Sequence, residues 1–406
     1  MHISFVHRRG FGQFAALAHH LAQSGHDVSL ICETVDRRLP AVRVLRHRVE
    51  TGPRTNGGMA RYLEVPDLHT RIGYRVAETF ESMARQSQKP DIIVGHIGWG
   101  SMMFVKDVLP ATPALGYCEF FYRAQGADVG FAPGDQPSSE TRKRLRLRNM
   151  AQLLTFDSLD GGISPTHWQK SLYPKTMQKR IAVVHEGVDT KIFYPDRHAT
   201  LTLPDGRVLK AGEHKVITFV SRDLEPYRGF PQALEAAAKV IRQNDDALFV
   251  FVGGDGVSYG TPPPGGGSWR ENLLKDMELP AERVVFTGPI PHADLRKLYQ
   301  ISTAHIYLTY PFVLSWSVVE AMACGALIIG SDTPPVREVI RSGQNGLLVP
   351  FFDSDALAQT VLNVLKSPEA CLPMRAAGRR TVEKRFKMTE CLRQQKTLIE
   401  AVLHGR

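Results

Sequence analysis

Residues 306–330 read IYLTYPFVLSWSVVEAMACGALIIG, twenty-five positions with one charged side chain, Glu320. A run this apolar could be taken for a membrane-crossing helix. Pro311, Gly325 and several hydroxyl residues instead divide it into strand, turn, helix and strand, each of ordinary length. A lone carboxylate in such a segment is costly to bury unless it is paired or hydrogen-bonded. Two readings of Glu320 stand open. In SVVE (317–320), Ser317 would cap a helix and Glu320 would reach back to its backbone N–H as a capping box. Otherwise Glu320 faces a ligand at the helix N-terminus, where amides favour phosphate and a carboxylate accepts from vicinal ribose hydroxyls.

Working outward, the strand–helix alternation covers the whole chain. HISFVH (2–7), the turn RRGFG, the helical QFAALAHHLAQSG and the strand HDVSLICE open a doubly wound parallel sheet. Strands follow at DIIVGH (91–96), ALGYCEF (114–120), GGISP (161–165) and IAVVHEG (181–187). Residues 193–215, with Pro195 and a Pro-Asp-Gly turn, read as a linker carrying a hairpin. The pattern then restarts with VITFVS (216–221), ALFVFVGG (247–254), RVVFTG (283–288), AHIYLTY (304–310), ALIIGS (326–331) and GLLVP (346–350). The expected organisation is α/β: an N-terminal Rossmann-like domain over 1–195 and a C-terminal Rossmann-like domain over 196–385. The closing helix, 386–406, is expected to cross back to the first domain. GTPPPGGGSW (260–269) reads as a mobile loop. In such folds ligands sit beyond the carboxyl ends of the strands, here expected in a cleft between two facing domains.

At 406 residues, 43% hydrophobic and 22% charged, the composition is that of a globular protein. The opening MHISFVHRRG lacks the pattern of a secretory leader, and five scattered cysteines without a CxxC fit neither a disulfide framework nor a zinc site. A cytoplasmic location is expected. The net charge of +9 concentrates in RRLPAVRVLRHR (37–48) and TRKRLRLRN (141–149). These runs fit an anionic partner or a solvated helix face. Without interleaved aromatics or a nucleic-acid motif, no nucleic-acid partner is expected.

Candidate residues fall just after strands. Arg222 and Arg228, in SRDLEPYRGF, suit a diphosphate, although they could pair with Asp223 or Glu225. GFGQFA (10–15) matches GxGxxA, with Glu33 closing the next strand, which supports a nicotinamide-dependent oxidoreductase as a rival reading. His96 could donate to a sugar hydroxyl or a carbonyl, or hold a structural place at the strand end. Glu119 ends its strand in the same way, beside the rings of EFFYR (Tyr122 among them), which suit the apolar face of a sugar or a core. Asp353-Ser-Asp355 resembles a metal motif but precedes a helix, which favours capping. No metal site and no cofactor are expected.

In order, SGHDV (24–28), GISPTHWQK (162–170), VHEGVDTKIFYP (184–195), SRDLEPYRG, VVFTGPIPHADL and VVEAMACGALIIGSDTPPVREVI followed by GLLV resemble the retaining glycosyltransferases of family 4, of GT-B architecture. The resemblance implies a nucleotide-diphosphate-sugar donor in the second domain. Glu320 would hold the ribose, Arg222 and Arg228 the diphosphate, and Gly288 and Pro289 the base. Ser315, Trp316 and Ser317 would face the diphosphate, with Gly10 and Gly12 opposite and His96 near the sugar. Glu119 and Tyr122 fall to the acceptor, expected to be a glycan or lipid-linked molecule, with peripheral contact at the inner face of an anionic membrane. The family's first glutamate, eight residues before Glu320, is Phe312 here, so a non-catalytic nucleotide-sugar-binding relative is the third reading.

Overall fold

The computed structural model describes residues 1–35, 37–49 and 61–405. Two units emerge, Met1–Gly187 with Thr389–Arg406, and Val188–Met388. The chain thus leaves the first unit at Gly187 rather than after residue 195. The reason is local pairing: Val188 donates to the Phe386 carbonyl at 2.7 Å and accepts from Met388 at 3.0 Å, so the outgoing and returning strands run together. The closing helix Met388–Leu403 belongs to the first unit from Thr389 onward, where Gln395 Nε2 donates to the His185 carbonyl at 2.9 Å.

The first unit is built on one parallel sheet. Its strands are β1 (His2–Val6), β2 (Asp27–Cys32), β3 (Val42–Arg46), β4 (Ile92–His96), β5 (Ala114–Tyr117), β6 (Gly161–Ser164) and β7 (Ile181–Val183), in the order β3-β2-β1-β4-β5-β6-β7. Ile3, Phe5, Leu30, Ile92 and Ile93 are fully buried, as expected of strands covered on both faces. β3 lies within 37–48, a segment expected only to be a basic run. The strand alternates Val42 and Val44 with Arg43 and Leu45 and sits at the sheet edge, where charged side chains discourage further pairing.

The second unit opens with the hairpin β8 (Thr200–Thr202) and β9 (Val208–Lys210), closed over the Pro-Asp-Gly turn. Its parallel sheet comprises β10 (Lys215–Asp223), β11 (Ala247–Gly254), β12 (Val284–Phe286), β13 (Ala304–Tyr307), β14 (Leu327–Ser331) and β15 (Leu347–Val349), in the order β12-β11-β10-β13-β14-β15. Strand order reverses between β1 and β4 in one unit and between β10 and β13 in the other, the places where doubly wound sheets bind ligands.

The 306–330 segment resolves into β13, a turn, the helix Trp316–Ala323 and β14. Every residue from Ser317 to Ala323 is buried, and Val318, Val319, Met322 and Ala323 join the core with Ile328, Val336 and Val382. Burial all round the helix, rather than amphipathicity, produced the unbroken apolar run. No described helix is long and apolar enough to cross a membrane.

Candidate functional site

In the second unit, β10 ends with a register shift. Val220 stands opposite Val252, but Asp223 stands opposite Gly254, leaving Ser221 and Arg222 as a bulge. Bulges re-aim side chains, and this one turns Arg222 into a cavity of about 240 Å³ lined also by Arg228, Tyr259, Leu308, Ser315 and Ser317. Arg228 follows on the short helix Pro226–Arg228, which Gly229 ends in the left-handed region at φ 72°. A Cβ there would lie 2.5 Å from that of Leu308, so only glycine permits this approach. Arg228 is buried and donates from Nη1 to Thr309 Oγ1 at 2.7 Å and the Val313 carbonyl at 3.2 Å.

The acids expected as alternative partners of these arginines face elsewhere. Asp223 accepts from the Gly256 amide at 3.1 Å and from the Ser258 hydroxyl. Glu225, fully buried, accepts from the amides of Ser258, Tyr259 and Gly260 at 3.2, 3.0 and 2.9 Å. Burial raises the Glu225 carboxyl above its ordinary range against the pull of those amides. The 260–269 segment, expected to be mobile, is therefore stitched at its start. At its far end Ser268 and Glu271 form a capping box, and Trp269 Nε1 reaches the Thr261 carbonyl at 3.0 Å.

The capping-box reading of Glu320 is corrected. The N-cap is Ser315, whose hydroxyl accepts from the Ser317 amide at 3.3 Å and from the Ser317 hydroxyl at 2.9 Å. Glu320 instead meets His292, Oε1 to Nε2 at 3.1 Å. His292 starts the helix that follows Gly288 and Pro289, so this pair ties the two segments assigned to base and ribose. Trp316 is 43% exposed. The structure thus brings Arg222, Arg228, Ser315 and Ser317 around one cavity. Glu320, Trp316, Gly288 and Pro289 are not among that cavity's described lining. Phe312 packs edge-on against Tyr227 at 5.2 Å and beside Tyr259 at 5.2 Å, under the Arg228 guanidinium at 5.9 Å.

The first unit assembles its own polar group at the β1/β4 switch. His96 is 2% exposed, accepts the Gly98 amide on Nδ1 at 3.0 Å, meets Glu119 Oε2 at 3.3 Å and stacks on Trp99 at 3.9 Å. Gln13 donates to the other Glu119 oxygen. Burial pushes the Glu119 carboxyl up, yet His96, with His7 and Gln13, outweighs it and holds the carboxyl below its ordinary value. Gly12, at φ 48°, allows His7 to lie under the turn, since a Cβ there would come within 2.4 Å of the ring. Gly10 donates to the Thr34 carbonyl. Burial, then His96, lowers the His7 imidazole to about 4, so it is neutral at pH 7. Tyr122 lies under Arg148, ring centroid to guanidinium 4.0 Å, and its amide donates to Asn149 Oδ1 at 3.0 Å.

His7, Gln13, Trp99 and Tyr259 were missed by the sequence reading. His7 and Trp99 each adjoin a strand end already singled out, in FVHRRG and GHIGWG, and that adjacency was the available signal. Among the described residues no group of three or more His, Cys, Asp or Glu is placed to hold a metal. Asp353 caps its helix, Oδ1 accepting from Ala356 at 2.8 Å, and Asp355 pairs with Lys239 at 2.7 Å. The serine-lined, arginine-flanked cavity lies at the strand-order reversal of the second of two doubly wound parallel sheets, where such folds bind ligands.

Residues 24–193 match the family described as Glycosyl transferase family 4 group, and residues 205–381 that described as Glycosyl transferases group 1. A D-inositol 3-phosphate glycosyltransferase of Mycobacterium marinum is 30% identical over 378 residues, covering 88% of this chain and 74% of that protein. The corresponding protein of Mycobacterium ulcerans, also 30% identical, aligns over 49% of this chain and 41% of its own length. The fold is that of sucrose-phosphate synthase from Thermosynechococcus elongatus (20% identity, full coverage of both chains, TM-score 0.75). It is also that of Anabaena HepE in complex with UDP-glucose (14% identity, 98% and 99% coverage, TM-score 0.68). The chain belongs to the family 4 glycosyltransferases of GT-B type. The nicotinamide reading gives way to this assignment, and Glu33, its ribose acid, is ion-paired with Arg8 at 3.0 Å.

Proposed function

We propose that the protein moves a glycosyl group from a nucleoside-diphosphate sugar to an acceptor hydroxyl with retention at the anomeric carbon, without a metal. The observation that carries the reading is the placement of Arg222, Arg228, Ser315 and Ser317 around one cavity at the ends of β10 and β13. Two guanidinium groups and a helix start form an anion site matched to a diphosphate. The acceptor oxygen bonds to the anomeric carbon as the bond from that carbon to the phosphate oxygen breaks. The leaving phosphate takes the acceptor proton, and the arginines stabilise its growing charge. Glu320, steadied by His292, accepts from the ribose hydroxyls, with Gly288 and Pro289 against the base.

Glu119 serves the acceptor in the first unit, where its lowered carboxyl keeps an anion able to accept a sugar hydroxyl, and His96, 3.3 Å from it, serves the donor sugar. The acceptor is a glycan, lipid-linked or other anionic molecule. Support comes from the exposed basic residues Arg142, Lys143, Arg144 and Arg146, and from relatives named for an inositol phosphate. The uridine nucleotide of the HepE complex makes UDP-sugars the first donors to try.

The test is a thermal-shift screen of UDP, GDP, ADP and their sugars, with NAD and NADP as controls. A nucleoside diphosphate is expected to raise Tm, and Arg222→Ala is expected to remove the rise. Stabilisation by NAD alone would overturn the proposal. Donor binding with neither transfer nor hydrolysis would leave a binding protein, as the Phe312 replacement allows.

A further inference from the structure

Around the two arginines, the second unit builds a feature that the family pattern did not announce. The stretch GGDGVSYG (253–260) folds back onto the end of β10. Its glycines are what allow this. A Cβ on Gly254 would stand 2.7 Å from Asp223 Oδ1, one on Gly256 2.9 Å from the same atom, and one on Gly260 3.2 Å from Glu225 Oε2. The backbone can therefore descend onto both acids, and three consecutive amides close on the Glu225 carboxylate.

Two consequences follow. First, the acids nearest in sequence to Arg222 and Arg228 are consumed by loop N–H and O–H groups, while Arg228 donates to neutral acceptors, Thr309 and Val313. The positive charge at the cavity is left for an anion. Second, the same stitching sets the Tyr259 ring against the arginines, 5.1 Å from the Arg228 guanidinium carbon and 5.8 Å from that of Arg222, with Phe312 behind it at 5.2 Å. An aromatic ring near a guanidinium attracts it through the ring quadrupole and shields that side from water. Electrostatic attraction to a phosphate is stronger where water is excluded.

We propose that Tyr259 is a binding residue of the donor site, its ring walling the diphosphate between Arg222 and Arg228, and that Glu225 is the positioning residue that holds it there. This rests on the donor reading above and adds to it a residue carried by a loop rather than by the sheet. The ring, not the hydroxyl, does the work. Glu225 acts only through the loop, because its oxygens are spent on loop amides.

The experiment is calorimetric titration of the full-length protein with whichever of UDP, GDP and ADP raises wild-type Tm most. Tyr259→Phe is expected to bind as wild type does, and Tyr259→Ala about tenfold more weakly, a size in keeping with a partly desolvated cation–π contact. Glu225→Gln keeps the volume but puts an NH2 where amides need an acceptor. It is expected to weaken binding to a similar extent in the wild-type background and to add nothing in Tyr259→Ala, since two residues acting as one unit are not additive. A merely structural role for Glu225 would multiply with Tyr259→Ala instead and would remove its part of the proposal. Wild-type affinity in a folded Tyr259→Ala variant, with Arg222→Ala defective, would overturn the proposal and leave the donor reading intact. Failure of the wild type to bind any of the three would overturn both.

Discussion

The Glu320 carboxylate rests against the His292 imidazole, Oε1 to Nε2 at 3.1 Å, with the acid buried and the histidine 65% exposed. The partner that makes this carboxylate tolerable inside an apolar helix comes from a different segment, the helix His292–Ile301, rather than from its own N-terminus. Glu320→Ala removes the proposed ribose acceptor and is expected to abolish the Tm rise given by a nucleoside diphosphate. His292→Ala removes only the brace and is expected to retain the rise in reduced form. Full retention in Glu320→Ala would show that the acid serves the helix alone.

Arg222 and Arg228 differ in burial, and their lysine variants should differ accordingly. Arg228 is 7% exposed and spans two acceptors, whereas Arg222 is exposed at the strand end. A lysine is a point charge on a flexible stem and cannot reproduce the fork. Arg228→Lys is expected to lower kcat by about 100-fold or more, the scale of losing one transition-state donor, and to lower Tm as well. Arg222→Lys is expected to lower kcat with Tm unchanged. Steady-state kinetics beside calorimetric melting checks the pair. Equal Tm losses would contradict the burial argument.

Much of the sheet framework was readable because buried parallel strands are short, β-branched and punctuated by glycine, as in HDVSLICE or ALFVFVGG. β3 escaped because an edge strand carries Arg43 and Arg46, so charge masked its alternation. Arg222 and Arg228 stand out in the sequence because they lie at and just beyond a strand end, and the structure sets both against one cavity. The partner of Glu320 was not, since His292 lies 28 residues away and only the packing of two helices brings it near. The capping box failed for a related reason: Ser315 and Ser317 both suit a cap, and the turn after β13 lets the helix begin at Trp316. Tyr259 stayed hidden because a glycine-rich loop reads as slack until its amides find the Glu225 carboxylate.

Gly229 and Gly212 both lie in the left-handed region, at φ 72° and 77°, but their surroundings differ. A Cβ on Gly212 meets nothing within 4 Å, whereas one on Gly229 collides with Leu308, a wall of the cavity shared by Arg222 and Arg228. Gly212→Ala should cost the backbone strain alone, about 1–2 kcal/mol. Gly229→Ala should cost more and displace both Arg228 and Leu308. The expected result is a larger Tm loss for Gly229→Ala, accompanied by weaker nucleoside-diphosphate binding, with affinity untouched in Gly212→Ala. Unchanged affinity in both variants would mean that the turn does not set the arginine.

His305 gives the second unit an acid sensitivity of predictable sign. Its ring is fully buried on β13, with Nδ1 2.9 Å from Thr218 Oγ1, Nε2 without a hydrogen-bond partner, and the Tyr299 ring edge-on at 5.2 Å. Burial drives the imidazole down to about 3, against about 6.5 for an unfolded chain. The unfolded state therefore binds the proton first. Stability is complete above about pH 6.5 and falls as the pH drops toward 3, by up to about 1.4 kcal/mol per pH unit. Buried His7 and His69, each lowered to about 4 mainly by burial, act in the same direction in the first unit. Urea unfolding at pH 7.5, 5.5 and 4.5 should show this decline. His305→Gln, which keeps a polar group beside Thr218 but cannot titrate, should flatten the part that reports on the second unit. An identical slope in the variant would mean that the His305 imidazole takes up its proton in the folded state, which a fully buried ring between Thr218 and Tyr299 should not do.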